Sequence, residues 1–309
     1  MKKIKRKQFL KTIASGAIGL GGLGLLNYRN YQSAFADNLR KKRIVVGSQT
    51  WIYAARLPGY DITPVLDQIF SDLSYAGMDG VELMHHPLRS SDTTLHIAEL
   101  KETYNLPVIG ASYNADMWDR DQHHTILKDV ETVITNLAKV GGRTLGANVG
   151  NSSSIKTTKQ LDAQADLLKK MMSICEKNEV VLNLHNHTHE LENNMHELKG
   201  TLSRIPELKL GPDLNWVMRA GVDPVNFLSQ FGDKIVFLHL RDQYKNGRWT
   251  EYLGQGNTDF VAIAKELKQI NFTGDVIIEL AHEQDFEPIK PIRESLKISR
   301  EFVRESMEI

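Results

Sequence analysis

Eight times between Ile44 and Glu305 a short apolar run is followed by an amphipathic stretch. The apolar runs are Ile44–Ser48, Gly80–Met84, Pro107–Ser112, Arg143–Val149, Val180–His185, Leu208–Asp213, Lys234–Leu240 and Asp275–Leu280. Short runs rich in Val, Ile and Leu, bounded by polar residues, read as buried strands. The stretches between them, Ile62–Ala76, Leu95–Tyr104, Thr125–Val140, Thr158–Asn178, Met195–Ile205, Pro224–Phe231, Asp259–Ile270 and Pro291–Glu305, read as helices. Pro64 falls in a first turn, where a missing N–H costs little, and Gly141-Gly142 ends a helix. Strands alternating with helices must run parallel, because each return to the same end of the sheet needs a crossover. Eight such units in about 265 residues predict an α/β protein, a single (β/α)8 TIM barrel, in preference to an open doubly wound sheet. No G-x-G-x-x-G follows the first strand and no P-loop is present, so a nucleotide fold has no support.

The N-terminal residues read differently. Residues 1–36 carry seven basic residues and no acidic one. Lys2 to Lys11 is basic, Thr12–Tyr28 is uncharged with five glycines, and Ser33-Ala34-Phe35-Ala36 gives an A-x-A pattern before Asp37. That three-part layout predicts an export signal, cleaved to leave a barrel domain over 37–309 outside the cytoplasm, in the periplasm. Arg6-Lys7-Gln8-Phe9-Leu10-Lys11 is similar to a twin-arginine signal with lysine in the second place. The uncharged run of 17 residues falls short of the ~20 apolar residues of a spanning helix, so no stable membrane insertion is expected. Without the segment, 31 basic and 38 acidic residues remain, a net charge of −7. A phosphate backbone repels such a surface, which argues against nucleic acid as a partner. The lone Cys175 excludes an internal disulfide and any multi-cysteine metal site.

Polar residues collect where the apolar runs stop. Strand two ends in Glu82-Leu83-Met84-His85-His86, and strand five in His185-Asn186-His187-Thr188-His189-Glu190. Strand six ends in Asp213, strand seven in His239-Leu240-Arg241-Asp242, and strand eight in Glu279-Leu280-Ala281-His282. Working residues of a barrel of this kind sit at the C-terminal ends of its strands. A carboxylate inside an apolar strand is costly unless it is paired or metal-bound. Glu190, Asp213, His239 and Glu279 come from four successive strand ends, and neighbouring strands are about 4.8 Å apart, so the four can converge on one ion. Three carboxylates and an imidazole suit Mn²⁺ best, or Mg²⁺, with Co²⁺, Zn²⁺ and Fe²⁺ as other candidates. Taken singly, His239 fits a buried hydrogen-bonded histidine, Asp213 a cap on the turn before Trp216, and Glu279 a partner for a barrel cation. His85, His86 and His282 lie near the working face without an assigned role. His96, His123, His124 and His196 read as surface or cap residues.

Together these residues resemble a known family. Gly80-Val81-Glu82-Leu83, His185-Asn186-His187 with Glu190, Asp213 with Trp216, Ala220-Gly221-Val222-Asp223-Pro224, His239-Leu240-Arg241-Asp242 and Glu279 are similar to the xylose-isomerase-like barrels. Within that superfamily they resemble the sugar phosphate isomerase/epimerase group, in its His-Asn-His-x-x-Glu branch. The resemblance implies one divalent ion on Glu190, Asp213, His239 and Glu279. The keto-sugar epimerases place their first glutamate at the end of strand five, where this chain has His185. His185 or His187 therefore could replace or join Glu190. Arg241 stands where relatives often have lysine.

The expected activity is that of an isomerase, epimerase or lyase/dehydratase on a sugar or keto-sugar, including a keto-glycoside. The ion would bind two adjacent substrate oxygens and acidify the C–H beside a carbonyl. Glu190 and Glu279 on opposite sides of that carbon would give epimerisation, and His185 or His187 as a general acid would give elimination. Glu82 and Arg241 would orient hydroxyls. Trp118, in the loop after strand three, offers a ring to stack on a sugar or to pack as part of a lid. The rivals are a non-catalytic sugar-binding barrel and an endonuclease IV-like phosphodiesterase, the latter disfavoured by the acidic charge.

Overall fold

A computed structural model describes residues 44–309; the expected export segment lies outside them. The strands are β1 (Val46–Gln49), β2 (Val81–Met84), β3 (Val108–Asn114), β4 (Thr144–Asn148), β5 (Val181–Leu184), β6 (Lys209–Leu210), β7 (Phe237–Leu240) and β8 (Asp275–Ile278). The α-helices are α1 (Trp51–Ala54), α2 (Leu66–Tyr75), α3 (Ser91–Tyr104), α4 (His123–Lys139), α5 (Thr158–Lys177), α6 (Thr188–Arg204), α7 (Leu214–Arg219), α8 (Pro224–Phe231), α9 (Phe260–Gln269) and α10 (Ile292–Ser306). All strand pairs are parallel, in the order β6-β5-β4-β3-β2-β1-β8-β7. Parallel bridges Leu210↔Ile235 and Asp213↔His239 bring the last two edges together, so the sheet is a nearly closed (β/α)8 barrel. The gap falls at Gly211-Pro212, because proline has no N–H to give a ladder. Across it His239 N still donates to the Pro212 carbonyl at 2.8 Å.

The main core lies between sheet and helices. Ile69, Phe70 and Leu73 of α2 are fully buried there, as are Val130, Val133, Ile134 and Leu137 of α4. Each such side chain contributes roughly 1.5–3 kcal/mol by leaving water. Cys175 belongs to this core, and burial pushes its thiol up to about 12, which makes it inert. Among the described residues no helix is long and apolar enough to cross a membrane.

A second, smaller apolar cluster of Ile109, Phe237 and Ile277 plugs the barrel interior. It fits because glycine faces it: a Cβ on Gly47 would lie 2.4 Å from the Ile109 side chain and 3.1 Å from that of Ile277. Side chains two residues apart on a strand share a face. The step from Phe237 therefore leads to His239 and Arg241, and the step from Ile277 leads to Glu279. The plug is the apolar base under a polar upper layer, in which strand register sets His239, Arg241 and Glu279.

Candidate active site

The upper layer centres on His239. Its Nε2 lies 2.6 Å from Glu82 Oε2, and its Nδ1 lies 3.1 Å from Glu279 Oε2. Burial alone would keep this imidazole neutral, but the charges of Glu82, Glu279 and Asp213 outweigh it and raise the group to about 9. The Arg241 guanidinium completes the cluster. It contacts Glu279 Oε1 and lies 3.3 Å from Asp213 Oδ2. Its outer side faces the rings of Trp249 and Trp216, 4.7 and 5.5 Å from their centroids.

Asp213 divides its two oxygens. Oδ1 caps α7 by accepting from Asn215 N at 2.8 Å and Trp216 N at 3.2 Å. Oδ2 is buried and makes no hydrogen bond. The structural cap read from the sequence is thus real and leaves one oxygen over. His185 stands at the end of β5 with its Nδ1 buried and unbonded. Burial, reinforced by His239, His187 and Arg241, holds it well below the usual histidine range, so it is a neutral imidazole. Ligand atoms of His185, Asp213 and His239 lie within 4.8 Å of one another.

Of the four residues expected to share one ion, the structure brings Asp213, His239 and Glu279 together. Glu190 joins a different group, with His187 and His189. The physical reason is local. Glu190 is the third residue of α6, and its Oε2 accepts the His187 N–H at 2.8 Å, as in a capping box. Its Oε1 lies 3.0 Å from His189 Nε2. Burial raises the Glu190 carboxyl, but His189 and His187 more than compensate and hold it below its ordinary value. His185 occupies the strand-end place beside Asp213 and His239.

These residues fit a divalent ion. Among the described residues, the three buried carboxylates Glu82, Asp213 and Glu279 face only His239 and Arg241 as cations, and His185 Nδ1, Asp213 Oδ2, His239 Nδ1 and Glu82 Oε1 are buried without hydrogen bonds. The donor set of two imidazoles and two carboxylates is richer in nitrogen than the set read from the sequence. It suits Mn²⁺, Fe²⁺, Co²⁺ or Zn²⁺ better than Mg²⁺.

A cavity of about 490 Å³ opens above the cluster. Its floor includes Gln49, His185, His239, Arg241 and Glu279, and its walls include His187, Trp51, Tyr60, Trp216 and Trp249. Glu82 lies beneath, 1% exposed. Trp118 lines neither this cavity nor its neighbour and is half-buried. Sequence reasoning thus missed the cavity's aromatic wall. Trp216 had a signal, three residues past a strand-end aspartate; Trp51 opens the one-turn helix α1, Tyr60 ends a short 3-10 turn and Trp249 sits in a loop, all too short to show a period. His85 and His86 also reach the cavity. His85 Nδ1 lies 3.2 Å from the Ser112 carbonyl, and burial with His86 and Arg89 pushes its pKa down to about 3, so it acts as a neutral group. Behind it Arg89 grips Asp129 with two hydrogen bonds of 2.8 Å, and Tyr113 donates to the same carboxylate at 2.9 Å.

Several solved structures share this architecture. D-allulose 3-epimerase from Methylomonas sp. superposes with a TM-score of 0.71 at 15% identity, covering 86% of this chain and 98% of that one. The 3-keto-D-glucoside 4-epimerase from E. coli gives 0.67 at 19%, covering 84% and 100%. A sugar phosphate isomerase/epimerase from Parabacteroides distasonis gives 0.65 at 15%, covering 84% and 93%. At such identities the likeness is one of fold. No protein of curated function matches the sequence. A family model described as xylose isomerase-like TIM barrel matches residues 70–302, and the chain belongs to that family.

Proposed function

We propose that this protein is a divalent-metal-dependent isomerase or epimerase of a sugar or keto-sugar. The observation that carries the reading is the convergence of His185, Asp213 and His239, joined by Glu279 through its ion pair with His239, below the cavity, with His185 Nδ1 and Asp213 Oδ2 buried and without a hydrogen bond. These four residues would hold the ion, with Mn²⁺ the first candidate; when bound it would polarise a substrate carbonyl and its neighbouring hydroxyl. Glu279 is the carboxylate on the floor that can take the proton from the carbon beside the carbonyl, leaving an enediolate. Arg241 positions Glu279 through their direct contact. Glu82 holds the His239 ring through Nε2. That partner fixes the orientation of the imidazole, as outer groups do for metal-binding histidines.

A second reading, elimination, has its own support. Glu190 is tied to the start of α6 and does not line the cavity, so it is poorly placed as a second proton carrier. His187 lines the wall, and burial lowers its pKa despite Glu190 and Asp213. It can return a proton to carbon, or give one to a departing oxygen. The test is to load the protein with Mn²⁺ and incubate it with keto-sugars in D₂O. Deuterium at the carbon beside the carbonyl supports proton transfer, an unsaturated product marks elimination, and binding without exchange sinks both readings. For the export segment, N-terminal sequencing of protein from the native envelope should begin at Asp37; Met1 intact on cytosolic protein would refute it.

A further inference from the structure

The cavity above the cluster has a neighbour. A second cavity of about 590 Å³ lies beside it, and the two share His187 and Trp216 as walls. Its other walls are mostly polar side chains, with Ile155 as an apolar face among them. The loop after β4 contributes Asn151, Ser152 and Ser153, and the start of α6 contributes Thr188, Glu192 and Asn193. Hydroxyls, amides and the carboxylate of Glu192 complement ring hydroxyls, and Ile155 and Trp216 offer apolar faces of the kind that pack on the flat side of a sugar ring.

These walls are held in place. Lys156, buried at the base, donates to the Gly150 carbonyl at 2.6 Å, to Gln164 Oε1 at 2.9 Å and to Glu197 Oε1 at 2.5 Å, which anchors the loop at 151–155. His196 Nε2 donates to the Lys156 carbonyl at 3.0 Å. Helix α6 breaks at Glu192–Met195, where Asn193, Asn194 and Met195 all take left-handed φ values of 53, 60 and 61°. Left-handed backbone costs roughly 1–2 kcal/mol per non-glycine residue, and asparagine tolerates it best. The break turns the helix aside and sets Glu192 and Asn193 along the second cavity. At the junction Trp216 is half-buried, with its ring 5.5 Å from that of His187.

We propose that the substrate is a two-ring glycoside, with its reacting ring on the floor of the first cavity and its second ring among Ser152, Ser153, Glu192 and Asn193. The glycosidic oxygen then lies beside His187 and Trp216. This rests on the sugar reading above and, of the sugars, keto-sugars and keto-glycosides it covers, selects a glycoside and places its second ring.

The test is calorimetric binding to the full Mn²⁺-loaded chain, with glucose as single-ring probe and cellobiose, maltose and trehalose as two-ring probes. At least one two-ring probe should bind about ten-fold tighter than glucose. Ser153→Trp, which fills the second cavity, and Glu192→Ala, which removes one wall contact, should each reduce that preference. Glucose binding should stay within about two-fold in both variants, which also shows that they fold. A preference absent in the wild type, or retained in both variants, overturns the second-ring site while the sugar reading stands. Binding of no probe at all overturns the site together with the sugar reading beneath it.

Discussion

The stretch His185–Glu190 feeds two polar clusters built in opposite ways. In one, His185 meets Asp213 and His239, residues 28 and 54 positions further along, from the ends of three strands. In the other, His187, His189 and Glu190 meet as near neighbours at the start of a helix. The second cluster has a local cause, because a glutamate at the third position of a helix naturally reaches back to the N-terminal N–H groups, and Glu190 Oε2 does so. The first has no such local cause. Bringing two imidazoles and three carboxylates into a buried layer costs free energy, and nothing in the barrel requires it for packing. Groups that converge without a structural reason are the better candidates for an ion.

The sharpest way to break that contrast is to remove one residue from each cluster. Asp213→Ala and His185→Ala should each lose bound metal, and with it all metal-dependent turnover, while far-ultraviolet circular dichroism stays unchanged. Glu190→Gln should keep stoichiometric metal, since glutamine can still make the capping-box bond. Elemental analysis decides: metal retained in His185→Ala and lost in Glu190→Gln would return Glu190 to the ligand set.

His187 stands between the clusters and tests the division of labour. His187→Ala should retain metal but lower turnover on a keto-sugar by about 10²–10⁴, the range for removing a general acid or base. Turnover within about three-fold of wild type would reduce the residue to a wall.

The sequence carries the barrel and the first cluster more clearly than the second. Eight alternations suffice for the architecture, because parallel strands need crossovers and crossovers leave a period. Asp213, His239 and Glu279 are legible because each interrupts or ends an apolar run at a strand's C-terminal end. Glu190 lies apart from them for a physical reason: beyond the strand, its position is decided by where α6 begins, and that helix begins at Thr188 rather than at Met195 as its periodicity suggests. The break over Glu192–Met195 hides the first turn from any test of helical period. Helix α7 is missed likewise, because six residues are too few to show a period. The aromatic wall is the least legible part. Trp51, Tyr60 and Trp249 reach the cavity from single helical turns and a loop, too short to leave a pattern, and Trp118, read from its ring alone, does not line it.

A smaller effect separates the cap from the charge at Glu190. Glu190→Ala removes the bond to the His187 N–H and should cost about 1 kcal/mol in urea unfolding, the usual worth of such a cap. Glu190→Gln should recover most of that loss. Equal destabilisation by both would mean that charge, not capping, holds the start of α6.

The smallest effect is a titration. Burial pushes the His189 imidazole down, but the hydrogen bond and charge of Glu190, with help from Glu197, outweigh it and leave the group raised above its ordinary value of 6.5. A histidine raised on folding adds stability that is fully present below its unfolded pKa. That stability fades as the pH climbs through the folded value. In metal-free protein the His189–Glu190 pair should therefore support the fold most below about pH 6.5 and lose its contribution above the folded value. In Glu190→Gln the charge is gone while the burial remains, so His189 should titrate lower than in the wild type. Histidine ring resonances followed by NMR across this range read both values directly. If His189 titrates below 6.5 in the metal-free wild type, or does not move in Glu190→Gln, Glu190 is not its charge partner. The second cluster would then lose the local explanation that sets it apart from the first.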